Sequence, residues 1–553
     1  MKPPRIRGAA LRAARIAAET PGTDAVIRQV MVKGLGVDQL ARLPMSMRAE
    51  LPLDAKPVAA RPPRALPAEA APPPPASWPR ASAAFAAAYA SKTATPRAVA
   101  DRAIAALDEL ASRRPSMNLL VAHDPAITRA DADASAARYA AGKPVGPLDG
   151  APLLVKDEFD VAGFVTSLGS ACTADVRATR DSTMVERLRA AGMIFLGKTV
   201  LTEWGMSPIG GNVNQKMPHN AHDPTRAPGG SSTGSAVGVA LGLAPVATAG
   251  DGGGSIRIPA SLNGVFGIKP TFGRVSRAGD GFKGSVAHAG PIAASAWDLA
   301  HALDACAATH DPLDDLTAWA PAPPPGGFGG RLGAGVRGRT FGVDEAAWAE
   351  AAPGVAKACR GALAALEKEG AKLVDVKMPL AAHAARIGYL TIAPESLASN
   401  LEAWTTQRER IADDVRLVFA VVAGFTALDQ LDAQRLRAGL RLEAARVLGD
   451  VDFLALPTTA VTAPIYGEDD ERVSFSDPAA IEGLCRYAFL GNLTGLPAGT
   501  APVGADELGL PVGLQIVGDA WDEAGVIGVL GHLERIEAAR ARRPPSAIDL
   551  LPR

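Results

Sequence analysis

Cysteine is scarce in this chain: four residues in 553, at positions 172, 306, 359 and 485, with no CxxC pair. Such spacing excludes a disulfide framework and fits a reducing, cytoplasmic compartment. Histidine is nearly as rare, with eight scattered residues and no HExxH-type spacing. A zinc site is therefore not expected, and neither a metal nor an organic cofactor is implied. Charge of one sign is also missing. The formal net charge is -1, so no global field exists to recruit nucleic acid or an anionic membrane surface. No uninterrupted apolar run reaches the roughly 18 residues of a membrane span. What is abundant is apolar and small: hydrophobic residues make up 48% of the chain, and 57 residues are glycine. A large core with many close backbone approaches is expected.

The first residues, MKPPRIRGAALRAARIAAETPG, are basic and Ala-rich. Arg12 and Arg15 interrupt the apolar run that a secretory signal needs, so a short amphipathic helix is predicted instead. Residues 57–79 hold nine prolines, which reads as an extended spacer without a core of its own. Residues 1–80 are thus expected to form an extension, and 81–553 the main domain. Within that domain, helical stretches alternate with apolar strand-like runs. ASAAFAAAYASK and TPRAVADRAIAALDELASR are helical, the second opening on Thr95 and Pro96. APLLVK, MIFLG, PVATA, FLALPT and PVGLQIVG are strands, interleaved with helices at STMVERLRAAG, SAVGVALGLA and LDQLDAQRLRAGLRLEAARVLG. The pattern predicts an α/β fold, a sheet covered by helices on both faces.

One motif matches in letters and fails in physics. GMIFLGKT (192–199) fits the phosphate-loop pattern GxxxxGK followed by Thr. A phosphate cradle needs flexible residues that turn their amides toward the ligand. Met193, Ile194, Phe195 and Leu196 instead make a buried strand, and Lys198 is expected to be structural.

The stretch PGGSSTGSAVGVALGLAPVATAGDGGGSIRIP (228–259) carries two serine clusters flanked by glycine. Glycines before Ser255 allow a turn whose successive amides form an anion-binding nest. A serine hydroxyl beside such a nest is the arrangement acyl transfer needs. A base is still required, and no histidine lies between His222 and His288. Lys156, at the end of the apolar run LLVK, is the candidate, because burial disfavours a charged ammonium and a dry lysine can offer a neutral amine.

Several separated segments resemble the amidase signature family: VKDEFDVAG, DSTMVERLRAAGMIFLGKT, PGGSSTGSAVGVALG, DGGGSIRIPASLNGVFGIKPTFGRVS, GNLTGLPAGTAPVG and GLPVGLQIVG. The resemblance spans roughly residues 81–540, in order. It implies the fold of that family, with its large mixed β-sheet, and a Ser-Ser-Lys triad: Ser255 as nucleophile, Ser231 as the bridging serine 24 residues earlier, and Lys156 as base. It further implies a cis peptide bond between Gly230 and Ser231. Backbone amides of Gly252, Gly253, Gly254 and Ser255 would form the oxyanion hole. Asp251 and Arg257 would be an ion pair beneath the loop, and Ser232 a neighbour outside the triad. Two departures stand out. Thr233-Gly234 replaces a double glycine, which places Thr233 next to the expected substrate. Gly250-Asp251-Gly252 replaces Thr-Asp-Thr, as in members similar to 6-aminohexanoate cyclic-dimer hydrolase. The resemblance implies an amidase that acts on a linear or cyclic small-molecule amide, without nucleic-acid or membrane partners, and it allows a homodimer. The competing readings are the glutaminase subunit of a tRNA-dependent amidotransferase and a non-catalytic scaffold on the same fold. Aromatic residues Tyr389, Trp404 and Phe419 are candidates for a specificity pocket within residues 380–480.

Overall fold

The computed structural model describes residues 4–50, 56–61, 71, 73, 78–115, 117–173, 175–307 and 309–552. Most of the proline-rich stretch 57–79 lies outside the described residues. The strands are β1 (Ile6–Arg7), β2 (Leu120–Ala122), β3 (Pro152–Lys156), β4 (Ile194–Thr199), β5 (Val246–Asp251), β6 (Phe266–Lys269), β7 (His288–Ala293), β8 (Thr340–Val343), β9 (Lys372–Asp375), β10 (Phe453–Pro457), β11 (Phe475–Ser476), β12 (Ala498–Ala505) and β13 (Pro511–Val517). Eleven of them form one mixed sheet in the order β2-β4-β3-β5-β7-β6-β12-β13-β10-β8-β9. β3 lies parallel between β4 and β5, with Leu153 opposite both Phe195 and Val246. Both β3 and β4 are buried along their whole length. That burial on two faces is why LLVK and IFLG read as continuous apolar runs rather than alternating ones. The sequence GMIFLGKT is therefore a strand, and Lys198 is its buried end, paired with Asp157 at 2.7 Å and donating to the Val165 carbonyl at 2.8 Å.

Local signals place the helices. The helix Pro96–Ser112 opens on Thr95, whose Oγ1 accepts from the Ala98 N–H at 3.1 Å, with Pro96 in its first turn. The long helix Ala427–Asp450 opens on a capping box between Thr426 and Asp429. The helix Thr233–Ala240 is buried at every position. Its small residues let it lie flat on β3: a Cβ at Gly238 would overlap Leu154 Cδ1. This close packing holds the loop before Thr233 and the turn after β5 at the same end of adjacent parallel strands, where ligand sites form in open α/β sheets.

Residues 4–50 fold onto this body. β1 pairs antiparallel with β11. The helix Gly8–Glu19 buries Leu11 against Leu417 and Val421 of the helix Asp413–Val422. Arg416 grips Glu19 with two bonds, at 2.9 and 2.7 Å, and Arg15 bonds Asp413 at 3.1 Å. A second helix, Asp24–Gly34, follows it. The ends of the proline-rich stretch are also tied down: the N–H groups of Ala60 and Arg61 donate to Asp519 at 2.9 and 3.1 Å, and the Trp78 indole donates to the Ala240 carbonyl at 2.9 Å. Among the described residues, no helix is long and apolar enough to cross a membrane.

Candidate active site

Lys156 ends β3, 1% exposed, with its backbone N–H bonded to Thr248 Oγ1 of β5 at 3.0 Å. From there Nζ donates to Ser231 Oγ at 2.9 Å and approaches the Gly250 carbonyl at 3.4 Å. Its third neighbour is the Glu158 carboxylate, with Oε2 at 2.8 Å. Ser231 is buried and follows a cis peptide bond from Gly230. Ser232 points elsewhere, its hydroxyl on the Gly250 carbonyl at 3.3 Å, while its N–H donates to the Ser255 carbonyl at 3.3 Å. That last bond staples the serine loop to the glycine turn. Ser255 itself is half-buried and lines a pocket.

The turn that carries Ser255 is built on Asp251. Its carboxylate accepts from the Gly254 N–H at 2.6 Å and the Ile256 N–H at 3.1 Å, and grips Arg257 through Nε at 2.9 Å and Nη2 at 3.0 Å. Both side chains are fully buried. Burial alone would push the Asp251 carboxyl up, but the Arg257 guanidinium outweighs it and holds it well below the usual carboxylate range. Arg257 spends its other donors on the Ala488 carbonyl and Asn492 Oδ1, at 2.8 and 2.6 Å. Asp251 and Arg257 thus take the scaffold place expected of them.

Two expected site residues sit differently. The Gly254 amide is already spent on Asp251, so it is not a free oxyanion donor. The hydrogen bonds described for this turn leave the amides of Gly252, Gly253 and Ser255 unclaimed. Thr233 is fully buried, not beside the pocket. It opens its helix, and its hydroxyl is occupied by the Gly229 carbonyl at 2.8 Å.

The pocket at Ser255 encloses about 1060 Å³ of non-atom space, part of it open to solvent. Its walls are overwhelmingly apolar. Phe489 and Ile392 lie against the glycine turn, at Gly253 and Gly252 respectively, and Met206, Val422, Met31 of the helix Asp24–Gly34 and Leu35 just after it also line the pocket. Tyr389 lines it too, its ring edge-on to Phe489 at 5.4 Å. Trp404 and Phe419 do not. They belong to a separate cluster, in which Phe419 stacks on Trp204 and Trp404 meets Phe419 edge-on. No sequence spacing announces Met31, Leu35 or Ile481 as pocket residues. The only trace is the amphipathic character of the extension.

Known proteins are similar to this chain in sequence and in fold. The family described as Amidase matches residues 103–527. The chain is similar to fatty acid amide hydrolase of Arabidopsis thaliana, 34% identical over 84% of this chain and 77% of that enzyme. It is likewise similar to a glutamyl-tRNA(Gln) amidotransferase subunit of Chloroflexus aurantiacus, 34% identical over 80% of this chain and 93% of that protein. Among solved structures, the peptide amidase of Stenotrophomonas maltophilia superposes with a TM-score of 0.70, at 28% identity, over 85% of this chain and 99% of that enzyme.

Proposed function

Since the chain belongs to the amidase family, we propose that it hydrolyses amides whose acyl part is long and apolar, through an acyl-enzyme on Ser255. The observation that carries this reading is the pocket: Ser255 opens into a chamber walled by Met31, Leu35, Ile392, Val422 and Phe489. The likeness to fatty acid amide hydrolases supports it.

In the reaction, Ser255 Oγ attacks the amide carbonyl carbon. Its proton passes to Ser231 Oγ, which gives its own to Lys156 Nζ across the 2.9 Å contact. The carbonyl oxygen becomes an oxyanion that the amides of Gly252, Gly253 and Ser255 stabilise. The C–N bond then breaks, and the departing nitrogen takes the proton back from Lys156 through Ser231. Water attacks the acyl ester by the same relay in reverse, releasing the carboxylic acid and regenerating the serine.

A series of straight-chain acyl amides with one leaving amine tests the substrate. Each methylene buried is worth about 0.8 kcal/mol, so kcat/KM should rise about fourfold per methylene until the pocket is full. Ala393 lines the same chamber and is 6% exposed. Ala393→Phe should cut kcat/KM for the longest chains by about tenfold or more while sparing short ones. Faster ammonia release from glutamine than from any acyl amide would replace this reading with that of an amidotransferase component.

A further inference from the structure

Glu158 has no part in the proton relay, yet it touches the relay's base. Its side chain is 2% exposed. Oε2 lies 2.8 Å from Lys156 Nζ, and Oε1 is buried without a hydrogen-bond partner. The carboxylate occupies space that only a glycine at position 250 leaves open. A Cβ on Gly250 would overlap Glu158 Oε1 and stand 2.8 Å from Cδ, and the three nearest atoms it would meet all belong to this one side chain. The glutamate and the glycine are complementary: the first fits because the second has no side chain.

The charged groups around this carboxylate leave Lys156 as its cation. The segment 279–282 packs over it, with the Gly281 N–H on the Glu158 carbonyl at 2.8 Å and Phe159 bridged to Asp280. Asp280 on that segment is buried. Its carboxyl is pushed well up, by burial first and by the neighbouring Glu158 second, with Arg277 and Lys283 opposing weakly. On the β4 side, Lys198 is committed to Asp157 at 2.7 Å. On the β5 side, Arg257 is committed to Asp251 at 2.9 Å.

We propose that Glu158 is a positioning residue for the general base: its carboxylate, seated in the space that Gly250 leaves open, holds Lys156 Nζ against Ser231. The proposal rests on Lys156 being the base of the amidase reaction. Holding the amine contributes nothing to substrate binding, so its loss is read in kcat rather than in KM.

The test is the split between kcat and KM for one amide. Glu158→Leu keeps much of the bulk and offers the amine nothing, so it should lower kcat by about tenfold or more with KM within about twofold, and Glu158→Gln, which keeps an oxygen, should recover most of that loss. Gly250→Ala, which displaces the carboxylate without deleting it, should lower kcat in the same way, and it stands in if Glu158→Leu does not fold. The swap Glu158→Asn with Gly250→Thr should be far less damaging than Gly250→Thr alone, because the two positions share one space. If Glu158→Leu and Gly250→Ala both keep the wild-type kcat while Lys156→Ala is inactive, the role of Glu158 is refuted and the base assignment stands. If Lys156→Ala turns over like the wild type, the base assignment itself fails, and the role of Glu158 with it.

Discussion

Ser255→Ala should lower kcat by roughly 10⁴- to 10⁶-fold, with the fold intact. The hydroxyl is the only group lost, and Ser255 is half-buried at the pocket's edge rather than packed in the core. What holds the turn is Asp251 through the amides of Gly254 and Ile256, and none of those bonds involves the serine side chain. Tm and the circular dichroism spectrum should therefore match the wild type while turnover disappears. The residual rate would report what the amides of the turn and the pocket contribute without a nucleophile. A fluorophosphonate probe should label the wild type and leave the variant unmodified. Labelling that persists in Ser255→Ala would move the nucleophile elsewhere, and Ser231, bonded to Lys156, would be the first alternative. Lys156→Ala should be nearly as slow but should also lose stability, because it strands the buried Glu158 carboxylate without its cation. The two variants are thus separable: one is catalytically dead and stable, the other dead and weakened.

The parts of this site that depend on local chemistry are legible in the amino-acid order alone. Lys156 ends an apolar run, Ser231 precedes a small-residue helix, and Ser255 follows three glycines. Motif spacing records all three positions. GMIFLGKT is excluded as a phosphate loop on the same kind of ground, since four bulky apolar residues can only be strand, and they lead into and form β4. The pocket is not legible in this way. Its walls come from Met31, Ile392, Val422 and Ile481, which only tertiary packing brings together. Each of these, read in its own helix, is simply an apolar residue facing inward. Thr233 and Gly254 show a different limit. Both stand within two residues of the proposed catalytic serines, but each has a hydrogen-bonding group already satisfied by a neighbour, Gly229 and Asp251 respectively. Adjacency identifies candidates, and the accounting of donors and acceptors decides among them. The glycine at position 250 is visible as an anomaly, but its reason is a side chain ninety-two residues earlier in the chain, Glu158.

The largest loss of stability is expected from Asp251→Asn, about 3–5 kcal/mol, read as a lowered Tm or urea midpoint. Asparagine keeps an oxygen that can still accept from Gly254, so the substitution isolates the charge. It leaves the Arg257 guanidinium fully buried with neutral partners only, the carbonyl of Ala488 and the side-chain oxygen of Asn492 among them. Arg257→Met should cost a similar amount by stranding the carboxylate. The double variant should cost less than the two single losses added together, because it removes the uncompensated charge that makes each single change expensive. The pH dependence has a definite sign. The Asp251 carboxyl is depressed by Arg257, so the pair's stabilisation is fully present above the ordinary carboxylate range, near 4, and is lost only as pH falls through the lower folded-state value. Other buried acids act oppositely. Burial raises Asp298 to about 6 and Asp522 to about 7, so the native state holds their protons longer than the unfolded chain, and their contribution falls as pH rises from about 4 to those values. Wild-type protein should therefore tolerate mild acid, with no loss traceable to Asp251 between pH 7 and about 5. Asp251→Asn should show its full deficit throughout that window, and its kcat should fall with its stability, since the same carboxylate shapes the turn that presents Ser255. A deficit that vanished at pH 5, or a variant as stable as the wild type at pH 7, would mean that the turn is held by packing rather than by this buried charge.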